Sequence, residues 1–273
     1  MGKIWFVTGS SRGLGLVLVE KILESGASVV ATARKPEQLS HVVGKYGPDR
    51  VLAIPLDVSK CDEVTQAVDT ALTKFGRIDV VVNNAGYADS ASIEDMDIQS
   101  FRMQMETNFF GVMYVTKAVL PIMRKQGSGH IFQVSSIGGR VGSPGLGSYQ
   151  SAKWAIGGFS TVLSQEVKPL GINVTVLEPG GMQTDWAGSS MGRGPISEPY
   201  QQTVGAFNEL RLRSIEHWSL PSKVADVVLK ISEVSDPPLR LLIGPDTIEY
   251  AKKASDALVA SDEKWREVTL FHV

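Results

Sequence analysis

The run Tyr149-Gln-Ser-Ala-Lys153 sets a phenol and an ammonium four residues apart, a spacing that brings both to one face of a helix. A neighbouring ammonium favours phenolate and draws a tyrosine pKa down from about 10 toward the working range. A tyrosine tuned in this way is a general acid for reducing a carbonyl and a general base for oxidising an alcohol. The four histidines, His41, His130, His217 and His272, have no metal-ligand spacing, so no metal is expected. The one cysteine, Cys61, heads a helical stretch and reads as a packing residue.

A second chemistry-bearing stretch closes the first apolar run. Thr8-Gly9-Ser10-Ser11-Arg12-Gly13-Leu14-Gly15 leads straight into a helical pattern. Its glycines let the backbone turn tightly and approach a pyrophosphate, whose charge sits against the helix N-terminus. Folds that prefer NAD carry an acidic residue about 20 residues past such a loop, where it accepts the ribose hydroxyls. Here the second apolar run ends Ala31-Thr32-Ala33-Arg34-Lys35, without a carboxylate. Arg34, with Arg12 in reach, suits a 2′-phosphate in a charge-assisted pair, so the expected cofactor is NADP(H). The loop also reads as Gly9-Ser10-Ser11-Arg12-Gly13, the G-x-S-x-G of a hydrolase nucleophile elbow. That reading needs an acid and then a histidine downstream, and it leaves Tyr149 and Lys153 without a role.

The elements that must position these groups alternate along the chain. Apolar runs at Ile4–Thr8, Ser28–Thr32, Val51–Ile54, Asp79–Val82, His130–Val134, Asn173–Leu177 and Leu239–Ile243 are strand-like. Several, such as Val80-Val-Val, lack polar alternation and so predict strands covered on both faces. Amphipathic segments at Gly15–Glu24, Cys61–Phe75, Ile98–Lys125, Tyr149–Lys168 and Lys223–Glu233 lie between them. The pattern predicts an α/β fold: a Rossmann-type, doubly wound parallel sheet of about seven strands with helices on both faces. No repeat or Pro/Gly linker divides the chain, so residues 1–273 are expected to form one domain. The stretch Gln183–Leu220 is rich in Gly and Pro yet carries Trp186, Met191 and Tyr200. Residues 184–215 of it are expected to be a lid over a site, and residues 245–273 a C-terminal extension.

Composition narrows the class further. A formal net charge of -2 offers no broad basic surface for nucleic acid or anionic membrane. No apolar run approaches the roughly 18 residues of a membrane span. The N-terminus runs straight into a strand without the pattern of a signal peptide. Asn173-Val-Thr matches a glycosylation acceptor but lies inside an apolar strand. The expected location is cytoplasmic.

Together the motifs resemble the short-chain dehydrogenase/reductase family, in its single-domain branch, over roughly residues 3–245. Thr8–Gly15 is similar to the family's T-G-x-x-x-G-x-G, and Leu56-Asp57-Val58 to the segment whose Asp binds the adenine amino group. Asn83-Asn84-Ala85-Gly86 matches N-N-A-G, Tyr149–Lys153 matches Y-x-x-x-K with Ser136 thirteen residues upstream, and Pro179-Gly180 through Thr184 matches P-G-x-x-x-T. Asn108 stands mid-helix where the family has its fourth catalytic residue.

The resemblance implies catalytic roles for Asn108, Ser136, Tyr149 and Lys153. Ser136 would bond the substrate oxygen where charge develops, Asn108 would hold a proton-relaying water, and Lys153 would also hold the nicotinamide ribose. It implies a cofactor site made of Gly9, Ser11, Arg12, Gly13, Leu14, Gly15, Arg34, Asp57, Val58, Asn84, Ala85, Gly86, Tyr149, Lys153, Pro179, Gly180, Met182 and Thr184, with Thr184 fixing the carboxamide. Beside Ser136 and Tyr149, the candidate substrate pocket residues are Tyr87, Val141, Leu146, Met182 and Trp186. Their apolar and aromatic character predicts a medium-sized hydrophobic ketone, aldehyde or secondary alcohol. The expected activity is NADP(H)-dependent hydride transfer, as in a carbonyl reductase. A catalytically silent NADPH-binding regulator, or the same fold acting on C=C or C=N bonds, stands as the alternative. The helical stretches 98–125 and 149–168 are those that pair subunits in relatives, so a homodimer or homotetramer is expected.

Overall fold

The computed structural model describes residues 2–184 and 191–271. Seven parallel strands form the central sheet: β1 (Ile4–Val7), β2 (Ser28–Ala33), β3 (Val51–Pro55), β4 (Val80–Asn83), β6 (Gly129–Val134), β7 (Ile172–Pro179) and β9 (Arg240–Ile243). Their order is β3-β2-β1-β4-β6-β7-β9, so the chain winds outward from β1 in one direction and from β4 in the other. The register pairs Val7 with both Ala31 and Val82, and Val134 with Leu177. The order in which strands are added therefore reverses between β1 and β4, which opens a crevice at their carboxyl ends. The expected Rossmann-type architecture is the observed one, and each of the seven strands lies within two residues of the run that foretold it.

Alternate residues of the strands feed two cores, as the two-residue period of a strand requires. Trp5, Val7, Val29 and Ala31 pack on α1 (Gly13–Glu24) and α8 (Pro221–Ser232) through Leu18, Ile22, Val224 and Val228. Phe6, Val30 and Val81 pack on α3 (Cys61–Phe75), α5 (Gly111–Gln126) and α6 (Gly147–Val167) through Val68, Val115, Leu163 and Val167. A short helix, α2 (Ser40–Tyr46), lies between β2 and β3.

Two features differ from expectation, the helix over Ile98–Lys125 and the placing of Cys61, and two stretches gain detail. The single helix expected over Ile98–Lys125 is α4 (Ile98–Met105), a π-helical turn over Glu106–Phe110, and then α5. Residues 191–215, the described part of the expected lid, form regular elements despite their Gly and Pro content. Strand β8 (Gly192–Arg193) pairs with β5 (Asp89–Ser90), a second π turn spans Gln201–Gly205, and α7 (Ala206–Ser214) follows. The C-terminal extension is helical, as α9 (Pro245–Lys264) and α10 (Arg266–Thr269). Thr247 and Ala251 of α9 are buried against the body, whereas every residue from 255 to 271 is exposed. Cys61, read as a packing residue, is exposed at the start of α3.

Candidate active site

A cleft of about 630 Å³ opens at the carboxyl ends of β1 and β4, within the usual size of a small-molecule site. Its phosphate-facing wall is built from the loop after β1. Gly9 has φ +67°, and a Cβ there would stand 2.9 Å from the Ala85 Cα. A Cβ on Gly15 would collide with the Gly9 carbonyl and the Asn84 amide. The chain can pass so close to the Asn83–Gly86 turn only without side chains. Thr8 Oγ1 accepts from Asn84 N at 2.9 Å and Ala85 N at 3.0 Å, and Asn84 Nδ2 donates to the Thr8 and Gly9 carbonyls at 2.9 and 3.1 Å. Helix α1 then starts behind Arg12 with no side chain capping it and no acidic residue in its first turn. Its first N–H groups are left to an anion, the arrangement that binds a pyrophosphate.

Gly9, Ser11, Arg12, Gly13 and Leu14 line the cleft, as do Arg34 at the end of β2, Asp57, Val58, Asn84, Ala85 and Gly86. Pro179, Gly180, Met182 and Thr184 close the far side. Gly15 lies beneath the loop instead of on the cleft surface. Asp57 Oδ1 accepts from Ser59 N and Oγ at 3.0 and 2.7 Å, which fixes the carboxylate in a tight turn. Arg12 and Arg34 are exposed at the rim. The cradle and the bare helix N-terminus fit the pyrophosphate of a nicotinamide dinucleotide.

Ser136, Tyr149, Lys153 and Asn108 converge at the inner end. Tyr149 and Lys153 occupy the face of α6 that also buries Ile156, Ser160, Leu163 and Val167, so sheet packing holds them in place. Lys153 is 4% exposed; its Nζ donates to Val134 O at 2.7 Å and lies 5.4 Å from the Tyr149 ring centroid. Ser136 follows β6, accepts from Gly138 N at 3.0 Å, and hydrogen-bonds with Tyr149. Its neighbour Ser135 is buried and donates to Lys153 O at 3.3 Å.

Burial sets the protonation of this group. It pushes the Tyr149 pKa up to about 12, with the Ser136 hydrogen bond opposing, and pulls Lys153 down to about 7. The expectation that Lys153 draws the tyrosine toward neutrality is thus corrected. Burial disfavours both charged forms, the phenolate and the ammonium alike.

Asn108 is fully buried in the π turn. Its Nδ2 donates to the carbonyls of Tyr87 (2.9 Å) and Gln104 (3.0 Å), and its Oδ1 accepts from Tyr87 N at 3.2 Å. The side chain therefore staples the segment after Gly86 to the helix. Of the expected substrate residues, Ser136, Tyr149, Tyr87 and Met182 line the cleft, and Trp186 lies outside the described residues. Val141 and Leu146 are not among the lining residues, a correction to the expected pocket. Val141 is half-buried in the turn that closes on Ile137 O, and Leu146 packs behind Tyr149 in a cluster with Ala88, Met191 and Phe207.

Sequence reasoning missed Phe207, which reaches Tyr149's cluster from α7, and the stripe Ser100, Met103 and Thr107, which faces the cleft from α4 and its π turn. The i, i+3, i+7 spacing of that stripe just before Asn108 was an available signal. Asn208 of α7, bonded to Ser90 at 2.9 Å, ties that helix to β5.

A model of the short chain dehydrogenase family matches residues 3–192. This chain belongs to that family. Oxidoreductase BOA17 of Botryotinia fuckeliana is 63% identical over 99% of both chains. The 3-ketodihydrosphingosine reductase of Bacteroides thetaiotaomicron is 36% identical, over 89% of this chain and 88% of its own length. Among solved structures, a short-chain dehydrogenase from Streptomyces avermitilis is 33% identical and superposes with a TM-score of 0.89, covering 98% of this chain and 97% of its own. Two at 25% identity cover 89% of this chain and 96% of their own. They are the 3-ketoacyl-(acyl-carrier-protein) reductase of Brucella melitensis complexed with NADH (TM-score 0.74) and an alcohol dehydrogenase of Thermococcus sibiricus complexed with 5-hydroxy-NADP (0.72). This short-chain dehydrogenase is thus an oxidoreductase whose structural neighbours use nicotinamide cofactors of either kind. No described helix is long and apolar enough to cross a membrane.

Proposed function

We propose that this short-chain dehydrogenase is an NADP(H)-dependent carbonyl reductase acting on a medium-sized hydrophobic ketone or aldehyde. The observation that carries the reading is the meeting of the buried Tyr149 and Lys153 with Ser136 at the inner end of the cleft. When bound, the dinucleotide supplies the hydride. The chain's own groups do the rest. Tyr149 Oη holds a proton at neutral pH and donates it to the oxygen of the substrate. Ser136 Oγ gives that oxygen a second hydrogen bond as its negative charge grows. The Lys153 ammonium steadies the phenolate left behind, and Asn108 holds the Tyr87 segment that walls the site. Tyr87, Met103 and Met182, the bulky apolar and aromatic side chains that line the same cleft as Tyr149, favour a hydrophobic substrate.

The preference for NADP(H) is supported by Arg34 and Arg12 at the rim and by the lack of a carboxylate at the end of β2. Among relatives, the names of the Bacteroides and Brucella reductases give ketone reduction, and the Thermococcus complex gives an NADP-type ligand.

The test is NADPH and NADH oxidation against a carbonyl panel. Tyr149→Phe keeps the ring and removes the proton. It should lower kcat by about 10²–10⁴-fold while leaving the NADPH Kd nearly unchanged. Near-native turnover in that variant would refute the assignment. Arg34→Leu should shrink the NADPH-over-NADH ratio of kcat/KM by roughly tenfold, the scale of one charge-assisted hydrogen bond. Equal use of both cofactors by the native enzyme would refute the cofactor preference.

A further inference from the structure

One cluster of charges near the cleft has no part in the reaction as described. Glu178 sits one residue before Pro179, and its side chain is 1% exposed. Two guanidiniums meet it there. Arg140 reaches Oε2 through Nε at 2.7 Å and Nη2 at 2.6 Å, and Arg240 reaches Oε1 through Nη1 at 3.2 Å. An ionised carboxylate is kept in such a place only where its charge and lone pairs are met. A guanidinium fork fixes direction as well as distance.

The elements that carry the two arginines decide what the cluster holds. Arg140 closes the 3₁₀ turn Ile137–Gly139 that Ser136 opens. Arg240 begins β9, and its guanidinium lies against Gly157, where a Cβ would collide with it. Gly157 is on α6, two turns beyond Tyr149 and one beyond Lys153. Ser136's own hold on β7 is weak, a 3.5 Å bond from Oγ to Pro179 O.

The geometry points to Glu178 as a positioning residue, which ties the Ser136 turn, the end of β7 and the helix of Tyr149 into one arrangement so that Ser136 Oγ and Tyr149 Oη meet the same substrate oxygen. This rests on the reaction proposed above, in which those two hydroxyls act together. Glu178 touches neither substrate nor cofactor in this account; it acts through Arg140 on Ser136.

A double-mutant cycle separates positioning from general stability, because only residues acting through one another give non-additive losses. The full-length enzyme is assayed for NADPH-dependent reduction of an aromatic 1,2-diketone, with NADPH Kd measured alongside. Ser136→Ala should lower kcat by about 10²-fold, the scale of a lost oxyanion donor. Glu178→Gln should lower kcat at least tenfold with NADPH Kd within about twofold, and Glu178→Asp should recover part of the loss. The double variant should turn over no more slowly than Ser136→Ala alone. Losses that multiply, or near-native kcat in Glu178→Gln, overturn the positioning role and leave the proposed reaction standing. Near-native kcat in Ser136→Ala, or no reduction by the native enzyme, overturns the reaction and the positioning role together. If Glu178→Gln does not fold, Arg140→Lys runs the same cycle, since it keeps the charge and loses the fork.

Discussion

At the scale of single residues, desolvation governs the behaviour of this site. Lys153 has its pKa lowered from 10.5 to about 7 by burial, so its ammonium is present below about pH 7 and lost above it. Tyr149, held near 12, keeps its proton throughout that range. In the proposed reaction the proton donor is therefore always loaded, while the charge that would stabilise the phenolate left behind is titrated away. The rate of carbonyl reduction should fall as pH rises through about 7. Lys153→Arg, which cannot lose its charge in this range, should remove that fall while lowering the maximum, because a guanidinium does not reproduce the 2.7 Å bond to Val134 O. A kcat–pH profile of both forms decides it: a native profile flat from pH 6 to 9 would mean that the lysine charge is not used.

At the scale of elements, α7 backs the packing around Tyr149. Phe207 joins Met191, Leu146 and Ala88 around Tyr149, and Asn208 pins the helix to Ser90. Phe207→Ala should loosen the packing that backs Tyr149 and lower kcat about tenfold, the scale of a small misplacement of a reacting group, with KM for a hydrophobic ketone and NADPH Kd little changed; a native kcat would remove α7 from this supporting role. This helix was hard to see in the chain because its pattern is inverted. Asn208 and Arg211 are buried, whereas Leu210 and Leu212 face outward. The π turn at Glu106–Phe110 was invisible for another reason: one inserted residue leaves the apolar spacing on either side intact. By contrast, unbroken runs such as Val80-Val-Val announced the central strands, since a strand covered on both faces needs apolar residues at every position. The inner site was legible wherever chemistry demands a residue type at a fixed offset, as at Ser136, Tyr149 and Lys153. Val141 and Leu146 were misread because only the packing decides which apolar side chain of a turn looks into a cleft.

At the scale of the whole molecule, one buried histidine couples folding to acid. His130 on β6 stacks on Phe132 with centroids 3.9 Å apart, and its Nε2 lies 3.0 Å from Thr175 Oγ1. The threonine gives its proton to Pro238 O, so Nε2 carries the imidazole proton and the ring is neutral. Burial lowers its pKa from 6.5 to about 3, with Lys3 adding to the effect. Between those values the unfolded chain binds a proton that the folded one refuses, so stability is full above pH 6.5 and declines toward pH 3. The slope is about 1.4 kcal/mol per pH unit at most. His130→Gln should flatten this decline in urea melts taken from pH 7 to 4, and an equal slope in both proteins would clear the histidine of the effect.

The outer end of α9 stands apart from that cooperative body. From residue 255 to 271 no side chain is covered, and a helix of that length is marginal in water when nothing packs on it. Its opening then belongs to a separate equilibrium, governed by local helix–coil balance and indifferent to the core. Limited proteolysis should therefore trim this terminal spoke before the sheet and its helices open, and the trimmed protein should keep the turnover of the full chain.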